Sequence, residues 1–289
     1  MIVFVVTAGH AYTLKAATEA LADLPVKLLL YPQLENSTLP RATYVFTDLE
    51  RVPTELLRSA AAIAQRLRER GLPVLNDPAR VLSRYGLLRR LSLTGFNSFN
   101  AYRVEEGATP RRWPVFLRTE GDHVSPMPEL YRSAAEMGRG IEEAVARGIP
   151  VSRMLIVEYC GEPVLPGLFV KYSAFRVGPK SLGHTSVHDT QWIAKEGRRG
   201  IATPEIYEDE LRLVRDNPHW PALAPAFEAG GIDYWRADFS LVGGRVELYE
   251  INTNPTVSFS QEHPSEFRRE AYRLFKENYC AALRAIDTR

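Results

Sequence analysis

The sequence has little cysteine: Cys160 and Cys280 are the only two in 289 residues. Two distant thiols build no disulfide framework, and no C-x-x-C spacing marks a zinc site. They read as reduced thiols, which fits a cytoplasmic protein. Charge of one sign is also missing. Lys and Arg total 36 against 35 Asp and Glu, a formal net charge of +1. That balance excludes a general polyanion-binding field and implies no nucleic-acid partner, while leaving room for local basic clusters. No apolar run approaches the ~20 residues of a membrane span. Ile2-Val3-Phe4-Val5-Val6 is too short for a signal core and lacks a basic flank. No membrane partner is expected. Internal repeats, low-complexity segments, a G-x-G-x-x-G fingerprint and a convincing Ser-His-Asp or Cys-His arrangement are likewise missing. Oligomeric state is not legible.

What is present is an ordinary globular composition, 45% hydrophobic and 25% charged, long enough for two or three subdomains. Short β-branched runs at 2–7, 26–31, 44–46 and 72–75 read as strands. Between them lie a helical segment over 12–23 and a helix opened by Pro53 and closed by Gly71. That second helix places Leu56, Leu57, Ala60, Ile63, Ala64 and Leu67 on one face. This alternation predicts a small open α/β domain with a parallel sheet over 1–77. Ligands in such sheets bind beyond the carboxyl ends of the strands, where Gly9-His10 lies.

The style changes after Asn76-Asp77-Pro78. Helices are predicted over 80–96, 129–147, 205–215 and 221–229, and from Pro264 onward, where an apolar stripe reads as packing. Strands are predicted over 113–118, 154–157 and 169–177, then through Val187 and Trp192–Ala194. Lys171, Arg176 and Lys195 are basic residues on these last strands. His184 and His188, four apart, invite a zinc reading, but no helical pattern or acidic partner surrounds them.

The densest chemistry runs from Gly231 to Pro255. Two β-rich runs flank Gly243-Gly244, a hairpin signal. Residues two apart in a strand share a face, so Arg236 goes with Asp238 and Glu250 with Asn252. Three hard oxygen donors beside one Arg suit Mg²⁺ (or Mn²⁺) holding a polyphosphate. Strand parity sets a condition. With only Gly243-Gly244 as the loop, Asp238 would face Tyr249 and lie on the opposite face from Glu250. A shared metal therefore requires an odd connection, such as Gly243-Gly244-Arg245 with Val242 facing Val246, or a β-bulge that gives the same parity.

Arg236-x-Asp238 followed by Glu250-Ile-Asn252-Thr-Asn254-Pro255 resembles the metal-binding hairpin of the ATP-grasp superfamily. The likeness is to D-alanine–D-alanine ligase, glutathione synthetase and RimK-type ligases, and it covers roughly 76–258. It implies an α/β domain followed by an α+β ATP-grasp fold of two subdomains, a central lid over 78–157 and a C-terminal part over 158–289. ATP would sit between them, with Asp238, Glu250 and Asn252 as metal ligands and Arg236 as the catalytic group. The resemblance also implies phosphate contacts. Arg84, eleven residues before Gly95, stands where the family has Lys; so does Arg118 in Pro114-Val-Phe-Leu-Arg. Glu158, Tyr159 and Cys160 match the hinge that receives adenine through its backbone. Glu162 is a candidate for the ribose, and Lys171 for phosphate or substrate carboxylate. The stretch Thr119–Pro126 occupies the place of the family's glycine-rich lid but has one Gly and a Pro, so His123 and Ser125 would supply side-chain contacts instead. Arg198-Arg199 reads as a basic loop near a substrate carboxylate.

The implied reaction is ATP-dependent ligation of a small-molecule carboxylate, an amino acid or peptide, to an amine through an acyl phosphate. Two alternatives stay open: an ATP-grasp-fold kinase, and a non-catalytic nucleotide-binding protein with a diverged phosphate loop.

Overall fold

Ile2–Val6 form strand β1, and all five side chains are fully buried. A continuous apolar run of this kind suits a parallel strand covered on both faces. Its neighbours are β2 (Val26–Leu30), β3 (Thr43–Phe46) and β4 (Val74–Leu75), in the order β2-β1-β3-β4, all parallel. The expected open parallel sheet is therefore present. The computed structural model describes residues 1–21, 23–121, 127–195, 197–198, 200–259 and 262–288, with Trp235 described by its backbone only.

Helix α1 (Lys15–Ala20) follows a 3₁₀ stretch over Ala8–Leu14, which shortens the helix expected over 12–23. Helix α2 (Thr54–Glu69) begins after Pro53 and buries Ala60, Ile63, Ala64 and Leu67 against Val3, Val5, Tyr44 and Phe46. Gly71, at φ +72°, ends it: its N–H bonds to Arg68 O, and Leu72 N bonds back to Leu67 O at 3.0 Å. That pairing satisfies the last carbonyls of the helix.

Two predicted helices start late. Helix α3 spans Arg84–Leu93 because the Ser83 hydroxyl caps it, accepting from Gly86 N at 3.2 Å. Helix α4 spans Ala134–Ala146 because Ser133 caps it through Glu136 N, while Tyr131 bridges to Val115. A serine that bonds the third N–H onward fixes a helix start more firmly than apolar spacing does.

A second, antiparallel sheet runs β5-β7-β6, from β5 (Ala101–Arg103), β6 (Val115–Thr119) and β7 (Met154–Glu158). A third runs β11-β10-β8-β9, from β8 (Phe169–Val177), β9 (Lys180–Asp189), β10 (Tyr234–Val242) and β11 (Arg245–Asn252). The strand expected to continue through Trp192–Ala194 stops at Asp189; Ala194, at φ +40°, has a backbone no strand adopts. Helices α5 (Pro204–Asp216) and α6 (Trp220–Gly230) precede the hairpin. On one face of the third sheet, Ala174, Ala237, Phe239 and Leu248 pack on Leu87 and Leu91 of α3 and Leu223 and Phe227 of α6.

The last helix, α7 (Glu266–Ala285), joins the sheets. Phe275, Tyr279 and Leu283 share a core with Ile2 and Phe4 of β1 and Phe175 of β8. The Met1 ammonium pairs with Asp287, and the Tyr234 and Tyr279 hydroxyls meet at 2.6 Å. The apolar stripe read as packing does pack. Among the described residues no helix is long and apolar enough to cross a membrane.

Candidate active site

The third sheet gives its other face to charge. Asp238 pairs with Ser173 on β8 and with Glu250 on β11, and Arg236 pairs with Asn252. Paired residues share a face, so Lys171, Ser173, Arg236, Asp238, Glu250 and Asn252 project together. The three-residue loop offered for the hairpin is not what forms. Val242 pairs with Arg245 around Gly243 (φ +55°) and Gly244 (φ +76°), a two-residue turn with positive φ at both centres. Parity is restored by the other route: a bulge after Asp238 leaves Tyr249 as the extra residue.

All of these but Ser173 line a cavity of about 280 Å³ between the second and third sheets. Its lining divides in two. Leu88, Phe99, Phe116, Val157, Trp192 and Ile193 make an apolar end, beside the chain at Tyr159–Gly161. Arg118, Lys171, Lys195, Arg236, Asp238, Glu250 and Asn252 make a charged one. Phe116 and Trp192 pack with tilted rings 4.8 Å apart between centres, and Tyr159 meets Trp192 edge-on at 5.5 Å. Trp192 also donates its indole N–H to Pro128 O at 3.3 Å, tying the segment after β9 to the one after β6. Such a cavity fits a flat apolar ring at one end and a polyanion at the other.

Every carboxylate at the charged end has cationic partners. Glu250 accepts from Arg84 and from Arg118 Nη2 at 3.3 Å. Asp238 accepts from Arg236 at 2.8 and 3.2 Å and from Ser173 Oγ at 3.2 Å, and it lies 3.2 Å from Lys171 Nζ. Burial alone would raise the Glu250 carboxyl; the guanidiniums of Arg118 and Arg84 outweigh it and bring the pKa down to about 2. Burial opposes ionisation of Asp238 too, but Arg236 and Lys171 pull it below its ordinary value. Both are anionic near neutrality.

The predicted residues distribute unevenly over this site. Arg118, Lys171, Arg236, Asp238, Glu250 and Asn252 converge on the cavity, and Lys195 joins them. Arg84, the first residue of α3, reaches Glu250 from an adjoining cavity of about 200 Å³ and donates to Thr119 O at 3.1 Å. Tyr159 and Cys160 line the apolar end. Glu158 reaches the lining, but its carboxylate is engaged elsewhere, accepting from Asn100 N, the Tyr102 hydroxyl and the amides of Arg111 and Arg112 at 2.7–3.1 Å. Its side chain therefore builds the second sheet. Glu162 does not line the cavity; it accepts from Gly243 N at 2.6 Å and ties the chain after β7 to the hairpin turn. Arg176 turns to Asp233 at 3.5 Å. His123, Ser125 and Arg199 lie outside the described residues. His184 packs on Phe275 and Phe175, where burial lowers its pKa to about 3, and His188 packs on Tyr207.

Sequence reasoning missed the apolar half, above all Phe116 and Trp192. Phe116 sits inside Pro114-Val-Phe-Leu-Arg with no role of its own there, Trp192 stands in no motif, and the two meet only where the segment after β9 folds back onto β6. It also missed the anchoring beyond the hairpin. Thr253 accepts from Leu49 N at 3.2 Å and donates to Glu50, while Asn254 accepts from Thr13 Oγ1 at 2.7 Å. Asn252 Oδ1 in turn accepts from Asn254 N at 3.0 Å. Residues at the carboxyl ends of β1 and β3 thus fix the chain that carries Asn252. His10 sits there as well, 2.8 Å from Thr7 Oγ1, with the Thr7 hydroxyl donating to the buried Asp48.

No family model matches the sequence, and no curated protein matches it. Solved structures do. D-alanine–D-alanine ligase from Bacillus anthracis aligns over 99% of this chain and 98% of its own, with a TM-score of 0.51 and 11% identity. The same ligase complexed with ATP aligns over the same shares, with a TM-score of 0.51 and 12% identity. A RimK domain ATP-grasp protein from Sphaerobacter thermophilus aligns over 96% and 98%, with a TM-score of 0.47 and 16% identity. A parallel sheet, followed by a three-stranded and a four-stranded antiparallel sheet with a cavity between them, laid over the whole length of such a ligase, give this chain an ATP-grasp fold.

Proposed function

We propose that the protein is an ATP-dependent carboxylate–amine ligase that works through an acyl phosphate, with an amino acid or short peptide among its substrates. One observation carries the reading. Asp238 opposes Glu250 and Arg236 opposes Asn252 on one sheet face, in a cavity whose other end is apolar and aromatic. The likeness in fold to a D-alanine–D-alanine ligase complexed with ATP supports it.

The donor set fits Mg²⁺. Among the described residues no group of three or more His, Cys, Asp or Glu could hold a metal. Two carboxylates and one amide oxygen on a shared face suit instead a hard cation that completes its shell with phosphate oxygens. Bound by Asp238, Glu250 and Asn252, it would neutralise charge on the transferred phosphoryl group.

The adenine ring belongs at Phe116, Tyr159 and Trp192, against the hinge backbone. Arg84, Arg118 and Lys171 hold the phosphates; the planar fork of each Arg can grip two phosphate oxygens at once. A carboxylate oxygen of the first substrate attacks the γ-phosphorus, and ADP leaves. The amine nitrogen of the second substrate attacks the acyl carbon, the C–O bond to phosphate breaks, and the amine loses a proton. Arg236 steadies the oxyanion in both steps. The chain's contribution is position and fixed positive charge, so no side-chain nucleophile is needed.

The test is a screen of amino acids and short peptides for ADP release that depends on an added amine. Amine-dependent ADP and phosphate with a new amide product is the expected result. A stable phosphorylated product would make the protein a kinase, and Mg²⁺-ATP binding without turnover across the screen would make it a nucleotide-binding protein.

A further inference from the structure

The ion pairs around Asp238 and Glu250 bear on the order in which the site fills. Among the described residues, five cations bear on it: Arg84, Arg118, Lys171, Lys195 and Arg236. Among the described residues the carboxylates beside them are Asp238 and Glu250, with Glu50 lining the adjoining cavity; Glu158 is tied into the second sheet. Among the described residues the balance is positive where a divalent cation is to be held by the chain. Both carboxylates already have partners: Arg84 and Arg118 on Glu250, and Arg236 and Lys171 on Asp238.

A metal that arrives alone must pull these carboxylates from their cations and leave several positive charges facing one another and itself. Buried charges that lose a partner are costly. A polyphosphate changes the sign of that exchange. Its oxygens take over the guanidiniums and the ammonium as charge-assisted partners, and the released carboxylates are then free to ligate.

We propose that the site fills anion first: a linear polyphosphate binds these cations without any metal, and the divalent cation enters only afterwards. The recognised class is the polyphosphate chain itself, with or without a nucleoside. The inference rests on the reading of the cavity as a triphosphate site, and goes beyond it in separating the anion from the metal. Asp238 and Glu250 then act as gatekeepers: they compete with the anion for the same cations until the metal recruits them.

The experiment is calorimetry and thermal unfolding of the full chain with inorganic tripolyphosphate in EDTA, with Mg²⁺ alone, with both, and with Mg²⁺-ATP. Metal-free tripolyphosphate is expected to bind and to raise Tm, Mg²⁺ alone to do neither, and Mg²⁺ to add stabilisation once the anion is present. Glu250→Gln gives the sharper sign. It removes the competitor for Arg84 and Arg118, so metal-free tripolyphosphate binds tighter, by about tenfold for one charge lost at close range, while the increment from Mg²⁺ disappears. Asp238→Asn gives the same pair of changes and serves if Glu250→Gln fails to fold. Binding of Mg²⁺ alone to the wild type, abolished in either variant, overturns the proposal. So does tripolyphosphate that binds only with Mg²⁺, or binds more weakly to both variants. If Mg²⁺-ATP binds while the metal-free arm fails, the order is wrong and the ATP site stands; if Mg²⁺-ATP also fails, both fall together.

Discussion

Asp238 faces Glu250 directly across β10 and β11, although the two-residue turn joining these strands would by itself set them on opposite faces. One residue makes the difference. Leu248 and Glu250 are two apart and would share a face in a regular strand. The bulge at Tyr249 lets Leu248 enter the core opposite Phe239 while Glu250 enters the cavity opposite Asp238. The Tyr249 hydroxyl is held by Ser240 and by the Cys160 carbonyl, and its ring packs 5.8 Å from Phe99.

Tyr249→Phe should therefore cost stability and nucleotide affinity together. It leaves the Cys160 carbonyl and the Ser240 hydroxyl without a buried partner, a loss of about 1–3 kcal/mol. Denaturant unfolding measures the first effect and ATP titration the second. A variant equal to wild type in both would show that the hydroxyl does not fix the bulge.

Arg118 compensates Glu250 and, in the proposed function, grips phosphate. Arg118→Ala should weaken ATP binding by at least about tenfold, since a charge-assisted bond contributes roughly 1.5–3 kcal/mol. Arg118→Lys should recover part of it, keeping the charge and losing the fork. Unchanged affinity in Arg118→Ala would take this residue out of the nucleotide site.

Much of this structure is written locally. The run Ile2–Val6, the Pro53 and Gly71 ends of α2 and the spacing of Arg236, Asp238, Glu250 and Asn252 each need only neighbouring residues to be understood. Parity reasoning went further and demanded either an odd loop or a bulge; glycine chemistry pointed to the loop, and the chain uses the bulge. The starts of α3 and α4 misled because apolar spacing continues past Ser83 and Ser133, whose capping bonds decide the matter. At the apolar end of the cavity Tyr159 and Cys160 were legible, but the rest of its aromatic lining was not. Phe116 lies on β6 and Trp192 in the segment after β9, and nothing near either in sequence records their meeting.

Trp192 should report ligand entry. It packs against Phe116 and borders the cavity. ATP should change tryptophan fluorescence in the wild type, and Trp192→Ala should abolish most of that change and weaken binding several-fold, as stacking is worth about 1–3 kcal/mol. An undiminished signal in Trp192→Ala would place the base elsewhere.

Glu210 should make stability depend on pH. Burial raises its pKa from 4.5 to about 7, with Arg268 and Ser186 N opposing that rise. Its Oε1 has no hydrogen-bond partner among the described residues. The folded chain thus binds the proton more tightly than the unfolded one. Stability from this group is full below about pH 4.5 and declines as pH rises through 7, by up to about 3 kcal/mol. Glu210→Gln keeps a neutral group, so its Tm relative to wild type should climb between pH 5 and 8. A difference that stays constant over that range would contradict the assignment.

The central claim is that Asp238 and Glu250 hold the metal of a nucleotide complex. Thermal unfolding with and without Mg²⁺-ATP tests it most directly, in wild type, Asp238→Asn and Glu250→Gln. At a ligand concentration about 100 times Kd the wild type should gain roughly 2.7 kcal/mol. Both variants should lose most of the part of that gain that depends on Mg²⁺. Equal Mg²⁺-dependent shifts in all three proteins would contradict the claim.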